Sequence, residues 1–431
     1  MSRQRYYWIC NIASLAFLYL ALISAFYIRY FFGEPDLRLS DHLIAFTPLF
    51  IIWNIIFFAF GVFEVRTLRR YVSVLGTIFS AVVFATLFSV LYFYFQPELT
   101  FTPRRVLLLH SGFAYFYLVL FFLFIKYVYS NRLQESVYVV DEGEVSQKTI
   151  ETLSHHSYLG FRFKGFVTFD KLDVSNDSLL ILPHRKNLEE NNIAKLFELK
   201  KKGVRFLDSF TFYESLLRKI RLEGLEVNWF LENVDYHKKA SYEVVKRITD
   251  IVLGVIGVFV FAITFPIVAI LIKISSKGPI FFIQPRVGRS GKIFNVYKYR
   301  TMRSGVADNI WTSDNDPRIT RIGTLLRNLR IDELPQFINL MMGNMSLVGP
   351  RPEQVHIVEE LKKQIPFYDE RHLVQPGITG WAQINDTYSA SVEETKTKLE
   401  FDLYYIKYRS LIFDLEIILK TVYYVLVPHG K

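Results

Sequence analysis

The chain has 431 residues, 51% of them hydrophobic and 16% aromatic, with a formal net charge of +10 and one cysteine. That length exceeds one ordinary domain, and the apolar share is high for a protein wholly in water. A lone Cys10 excludes intrachain disulfides and CxxC chemistry; the nine histidines lack H-x-x-x-H or H-E-x-x-H spacing, and no compact basic run with interleaved aromatics supports a nucleic-acid partner.

Four apolar stretches, residues 7–32, 42–63, 71–95 and 107–129, each approach the ~20 residues that cross a bilayer core, and predict a four-helix transmembrane domain over 1–132. The first is too long for a removable signal peptide and no small-residue cleavage pattern follows it, so it is expected to stay. Arg3 and Arg5 precede the first stretch, Arg66, Arg69 and Arg70 follow the second, and Lys126 and Arg132 follow the fourth. The positive-inside bias then places the N-terminus, and everything after the fourth span, in the cytoplasm.

From 136 to 235 the hydropathy drops, and short apolar runs at 137–140, 179–182 and 204–207 alternate with helix-like stretches such as 193–202. This pattern predicts a small cytoplasmic α/β domain, Rossmann-like, over 133–240. Asp141-Glu-Gly-Glu-Val after its first strand lacks the three glycines that admit a pyrophosphate, so a regulatory or assembly role is the better reading than dinucleotide binding.

A fifth apolar stretch, 248–272, contains Pro266 and has Lys246 and Arg247 before it and Lys273 and Lys277 after it. Cations on both flanks disfavour a simple crossing, and the proline predicts a broken, re-entrant helix; an ordinary fifth span is the alternative.

Downstream, 278–426 is polar and rich in phosphate-compatible groups. Its centre reads Asp316-Pro-Arg-Ile-Thr-Arg-Ile-Gly and then Leu329-Arg-Ile-Asp-Glu-Leu-Pro-Gln-Phe-Ile-Asn. Pro335 and the apolar pattern after it put Asp332 and Glu333 at a helix start, where free N–H groups favour ionised carboxylates and a neighbouring phosphate. Gly349 and two prolines in Gly343-Asn-Met-Ser-Leu-Val-Gly-Pro-Arg-Pro-Glu predict a sharp turn presenting Arg351 to phosphate oxygens. A second basic set, Arg286, Arg289, Lys292, Lys298, Arg300 and Arg303, suits lipid headgroups or substrate equally. Gly377, Gly380 and Trp381 in Gln375-Pro-Gly-Ile-Thr-Gly-Trp-Ala-Gln read either as a nucleotide cradle with a stacking ring or as a structural turn closed by a buried Trp. The segments around 400–406 and 411–427 read as amphipathic helices on a membrane surface.

These motifs, with Tyr297-Lys-Tyr-Arg-Thr-Met, resemble the bacterial sugar transferase family, the polyprenyl-phosphate hexose-1-phosphate transferases, over about 241–426. The whole chain looks like the long form of that family. The resemblance implies a mainly α monotopic transferase domain over 241–431, with a re-entrant helix broken at Pro266. The family commonly carries Ser before that proline, where this chain has Phe265 with Thr264 one residue earlier.

It further implies a nucleophilic Asp332, a Glu333 that holds Mg²⁺, an assisting Arg351, and a substrate site drawn from Lys298, Arg300, Arg318, Arg321, Gln336, Pro350, Gly377, Gly380 and Trp381. The expected donor is a UDP-sugar with glucose or galactose favoured, and the expected acceptor is undecaprenyl phosphate. The expected setting is the bacterial inner membrane with the catalytic domain on the cytoplasmic face, in contact with lipid, with a homodimer plausible. The competing reading from another class is a non-catalytic membrane scaffold or sensor of polysaccharide assembly.

Overall fold

A computed structural model describes residues 3–30, 39–63, 71–95, 103–131, 135–140, 150, 161–169, 174–176, 178–182, 190–233, 240–303, 316–385 and 391–426. Arg66, Arg69, Arg70, Arg132 and the 141–145 stretch lie outside them. The chain divides into two compact units, Met1–Leu216 and Leu217–Lys431.

The first unit opens with α1 (Arg3–Tyr30), α2 (Leu39–Ala59), α3 (Tyr71–Tyr94) and α4 (Pro103–Asn131). All four are long and apolar enough to cross a membrane, as expected. They are apolar all round: Phe46, Phe50, Trp53, Phe57 and Phe122 fill the centre, while Ile44, Leu87, Leu108 and Phe124 face outward. Outward apolar surface of that extent suits lipid. Buried polar groups pair between helices, Ser14 Oγ donating to Asn54 Oδ1 at 2.6 Å and Trp53 Nε1 to Ser89 Oγ at 2.8 Å. Such pairing is what an environment without water requires.

The α/β part holds β1 (Glu135–Val140), β2 (Phe161–Val167), β3 (Leu179–Leu182), α5 (Glu190–Lys201), β4 (Arg205–Asp208) and α6 (Ser209–Leu217). Its strands form one parallel sheet in the order β2-β1-β3-β4, in keeping with the α/β expectation. Leu180, Val140 and Val204 are buried against Leu199 of α5.

The second unit begins at Leu217, upstream of the boundary expected at 241. The physical reason is burial: Ile220, Leu225 and Trp229, the last on α7 (Val227–Asn233), enter the same core as Val358, Tyr368, Trp381, Leu399, Tyr405 and Phe413. Next comes α8 (Ala240–Ser275), the fifth helix long and apolar enough to cross a membrane. It continues on both sides of Pro266, so the proline does not end it. The Thr264 hydroxyl donates to the carbonyls of Val260 at 2.8 Å and Phe261 at 3.2 Å.

The hairpin β5 (Phe281–Val287) and β6 (Ile293–Tyr299), then α9 (Arg321–Asn328), α10 (Gln336–Met342) and β7 (Ser346–Val348), lead to α11 (Val355–Gln364) and β8 (Gly377–Thr379), which pairs in parallel with β7. The chain closes with α12 (Trp381–Asn385), α13 (Val392–Tyr408) and α14 (Leu411–Leu426).

Along α8 most large side chains, among them Ile248, Val255, Phe259, Ile263, Ile267 and Ile274, are exposed, while one stripe packs on this unit. Gly254 and Gly257 admit Met341 and Phe337 of α10. Near the helix start, Arg247 donates to the Leu340 and Met341 carbonyls at 2.8 and 2.9 Å, and Asp250 Oδ1 accepts from Leu347 N at 2.9 Å. Near its end, Val268 and Ile272 are buried with Tyr299 and Leu326.

Candidate active site

Asp332 and Glu333 lie in a 3-10 turn, Ile331–Glu333, immediately before α10, so the predicted helix start is correct to within three residues. The turn is entered through Arg330, whose φ of 56° is left-handed. Its position is fixed by α10. Asn339, fully buried on that helix, accepts from Tyr297 N at 3.1 Å and donates to Asn295 O at 2.6 Å, stitching the helix to β6. That strand carries Lys298. The sequence reading gave Asn339 no role; its one signal was an amide in an otherwise apolar helical pattern.

Three cations converge on Glu333 Oε1: Arg351 at 2.7 Å, Lys298 at 3.1 Å and Arg330 at 3.8 Å. Burial alone would raise the Glu333 carboxyl, but Arg351, Lys298 and Arg330 outweigh it and hold the group well below the usual carboxylate range. Asp332 is buried yet makes no side-chain hydrogen bond or ion pair among the described residues. Burial, then the neighbouring Glu333 charge, lift its carboxyl above the ordinary value, with Lys298, Arg327 and Arg330 opposing. Two adjacent carboxylates thus differ in kind, one held by direct ion pairs, the other without a bonded partner among the described residues and only partly offset by nearby cations. The helix-start argument anticipated two anions stabilised by free N–H groups; Glu333 is stabilised by side-chain cations instead, and Asp332 receives no donor among the described residues.

Arg286, on β5, adds a further cation. It bonds Gln284 Oε1 at 2.6 and 3.0 Å and the Pro352 carbonyl at 2.9 Å, and burial lowers it to about 10. Gln336, the first residue of α10, is 2% exposed and its Nε2 has no partner among the described residues. A buried, unpaired amide donor one turn from Asp332 is suited to a ligand oxygen.

Other predicted site residues lie outside this cluster. Arg300 is buried with its terminal nitrogens donating to the Ser276 and Lys277 carbonyls at 2.7 and 2.8 Å, which caps the end of α8. Arg318 is held by Asp316 at 2.9, 3.0 and 2.5 Å. Arg321 is exposed at the start of α9.

The glycines pack on each other rather than framing a cradle. A Cβ on Gly377 would lie 2.1 Å from Gly349 N, and one on Gly380 would lie 2.2 Å from Gly349 O. Gly349 N donates to Thr379 O and Gly377 N to Pro350 O, both at 2.9 Å. The Ser346-to-Pro352 and Gln375-to-Gln383 motifs are therefore two sides of one close backbone contact. Trp381 is 2% exposed, with Nε1 bonded to Arg218 O at 2.9 Å and the Arg218 guanidinium 4.3 Å over its ring. Its faces are occupied by the protein, so of the two readings the buried turn is the one this geometry supports.

Mg²⁺ binds through one or two carboxylates completed by water and substrate phosphates. No group of three acidic, His or Cys ligands occurs among the described residues. Asp332 and Glu333 supply two carboxylates side by side, a donor set that fits an ion arriving with a diphosphate rather than one caged by protein alone.

The bacterial sugar transferase family model matches residues 241–428. The chain is 44% identical over 191 residues to the UDP-N-acetylgalactosamine-undecaprenyl-phosphate N-acetylgalactosaminephosphotransferase of Aeromonas hydrophila, covering 44% of this chain and 45% of that one. It is 42% identical over 220 residues to the UDP-glucose:undecaprenyl-phosphate glucose-1-phosphate transferase of Escherichia coli K12, covering 50% and 47%. The exopolysaccharide production protein PSS of Rhizobium leguminosarum bv. phaseoli is 40% identical over 193 residues, 42% of this chain and 94% of its own length. The chain belongs to the bacterial sugar transferase family. It spans about half the length of the Aeromonas and Escherichia relatives. The part of this sugar transferase that the family model matches contains α8 from Ser241 onward and the whole cluster of Lys298, Asp332, Glu333 and Arg351.

Proposed function

We propose that the protein is an undecaprenyl-phosphate sugar-1-phosphate transferase that opens exopolysaccharide, capsule or O-antigen synthesis. A UDP-sugar is the donor and undecaprenyl phosphate the acceptor. The observation that carries the reading is the buried, unpartnered Asp332 beside a Glu333 held by Arg351 and Lys298.

In this reading an Asp332 oxygen attacks the β-phosphorus of the donor, the β-phosphorus to bridging-oxygen bond breaks, and UMP leaves with the electron pair. An acceptor phosphate oxygen then attacks the same phosphorus, and the bond to Asp332 breaks to restore the carboxylate. Lys298, Arg351 and Arg330 surround the charge of the incoming phosphates, while Gln336 Nε2 donates to one of their oxygens. Glu333, whose ion pairs to Lys298, Arg330 and Arg351 all run to Oε1, would hold Mg²⁺; when bound, the ion supplies positive charge against the repulsion between the Asp332 carboxylate and the diphosphate. The lack of a hydrogen bond to Asp332 among the described residues favours its use as a nucleophile, because none must be broken first.

The α8 helix of this reading is re-entrant. A straight helix of its length would run about 54 Å, and one body contacts it both at Arg247–Asp250 and at Val268–Ile272. A hydrocarbon core ~30 Å thick between those points would have to be shared by that polar body, which a simple crossing does not allow. The transferase then sits on the cytoplasmic leaflet of the inner membrane, with the α/β part in a regulatory or assembly role and the protein plausibly a homodimer. Glucose and galactose remain the favoured sugars, and the relatives' names add N-acetylgalactosamine to the panel.

The test is UMP release by full-length protein with Mg²⁺, undecaprenyl phosphate and a panel of UDP-sugars. Release with one donor, dependent on acceptor for sustained turnover, supports the reading. Silence with every donor, in folded protein, overturns it.

A further inference from the structure

The loop presenting Arg351 contains two prolines, Pro350 and Pro352, which have no N–H to donate, so its conformation depends on what grips its carbonyls. Four successive carbonyls are gripped, each by a different residue. Pro350 O accepts from Gly377 N at 2.9 Å and Arg351 O from Arg371 Nη2 at 3.0 Å. Pro352 O accepts from Arg286 Nη1 at 2.9 Å and Glu353 O from Val287 N at 3.0 Å.

Of these donors Arg371 is the most deeply placed. It lies in the 3-10 segment Tyr368–Leu373, with its side chain 2% exposed, and its other bonds run to Asp402 Oδ2 at 2.8 Å and the Tyr368 hydroxyl at 2.6 Å. Asp402, on α13, is itself 2% exposed in that pair. With Nη1 on the Tyr368 hydroxyl, Nη2 divides its two N–H groups between Asp402 Oδ2 and the Arg351 carbonyl, so the planar guanidinium ties the backbone of Arg351 to Asp402.

We propose that Arg371 is a positioning residue for the transfer reaction. Through the Arg351 carbonyl it sets the loop so that the Arg351 guanidinium meets Glu333 Oε1 at 2.7 Å. The inference rests on the function proposed above and assigns a part to a residue that touches neither the carboxylate pair nor the expected phosphates. Asp402 and Tyr368 act behind it as the groups that orient the fork.

A lysine at 371 keeps the charge for Asp402, but its single nitrogen cannot take the places of both Nη1 and Nη2. Arg371→Lys is therefore expected to lower kcat about 10- to 100-fold while the UDP-sugar KM stays within about threefold, since ground-state binding is little touched. In an Arg351→Lys background the same change should cost less than about twofold, because the group being positioned is already gone. Tyr368→Phe, which removes one hydroxyl, should show a smaller loss with the same dependence on Arg351.

A merely structural Arg371 would instead lower activity by the same factor in both backgrounds, in step with folded fraction, and that overturns the proposal. Cryo-electron microscopy of Arg371→Lys gives a readout independent of turnover: a displaced Arg351 supports the proposal, and an Arg351 still on Glu333 refutes it. Wild-type protein silent with every donor removes the functional reading and this inference together, whereas active wild type with equal losses removes this inference alone.

Discussion

Gly257 of α8 lies against the ring of Phe337 on α10 so closely that a Cβ placed on it would be 2.1 Å from Phe337 Cδ1. The apolar helix and the helix behind the Asp332 turn are therefore in contact through a missing side chain. Restoring it must move one of them, because an aromatic ring cannot yield at its stem. We expect Gly257→Ala to cost about 1–3 kcal/mol of stability by overpacking and, by shifting Asp332, to lower turnover about 10- to 100-fold. Gly254→Ala is the control: its Cβ would meet the flexible Met341 sulfur at 2.7 Å, and the loss should be a few-fold at most. Steady-state kinetics on both variants in one detergent decides this.

The carboxylate pair should separate in a thermal assay. Glu333 neutralises the half-buried Lys298 and Arg351, with the exposed Arg330 farther off, so Glu333→Gln leaves crowded cations and should lower stability by about 1–3 kcal/mol. Asp332 has no such partner, and its raised carboxyl means that its charge disfavours the fold at neutral pH. Asp332→Asn should therefore hold or raise the unfolding midpoint while abolishing activity. Equal destabilisation by the two changes would contradict the division of labour.

Acid should weaken this unit through Glu353. Burial alone would raise its carboxyl, but Lys398 at 2.8 Å, with Arg371 and Arg286, lowers it to about 2 from 4.5. A depressed carboxylate contributes stability that is present above the unfolded value and lost as pH falls through the folded one. The contribution, on the order of 1–3 kcal/mol, should fade between about pH 4.5 and 2. Lys398→Gln should lower the midpoint at pH 7 and differ less from wild type near pH 2, measured by unfolding across that range.

Much of the architecture was legible because its signals are one-dimensional. Apolar runs of bilayer length marked the five helices long enough to cross a membrane, and short apolar runs marked three of the four strands of the parallel sheet, the half-exposed β2 (Phe161–Val167) having no such run. The Asp332, Glu333 and Arg351 cluster was legible from its motifs, and Lys298 joins it as expected. What sequence could not supply is which partner fills a given surface. Gly377, Gly380 and Trp381 have the residue types of a nucleotide cradle, yet the space beside them is taken by Gly349 and Arg218. Arg300 reads as a phosphate-compatible cation, and that its terminal nitrogens bind the Ser276 and Lys277 carbonyls just after α8 is visible only in three dimensions. Asn339 and Arg371 went unassigned since their partners, at Asn295 and Arg351, lie 44 and 20 positions away. Trp229 likewise reads as a local aromatic until its core with Tyr368 and Trp381 is seen.

The central claim is that Asp332 carries the phosphosugar between donor and acceptor. Full-length protein should be incubated with its UDP-sugar and Mg²⁺ without acceptor, then digested and examined by mass spectrometry. The account predicts a sugar-phosphate adduct on the peptide containing Asp332, stoichiometric UMP, loss of the adduct on adding undecaprenyl phosphate, and neither adduct nor UMP from Asp332→Asn. Acceptor-dependent turnover with no adduct on that peptide, or turnover surviving in Asp332→Asn, would contradict it.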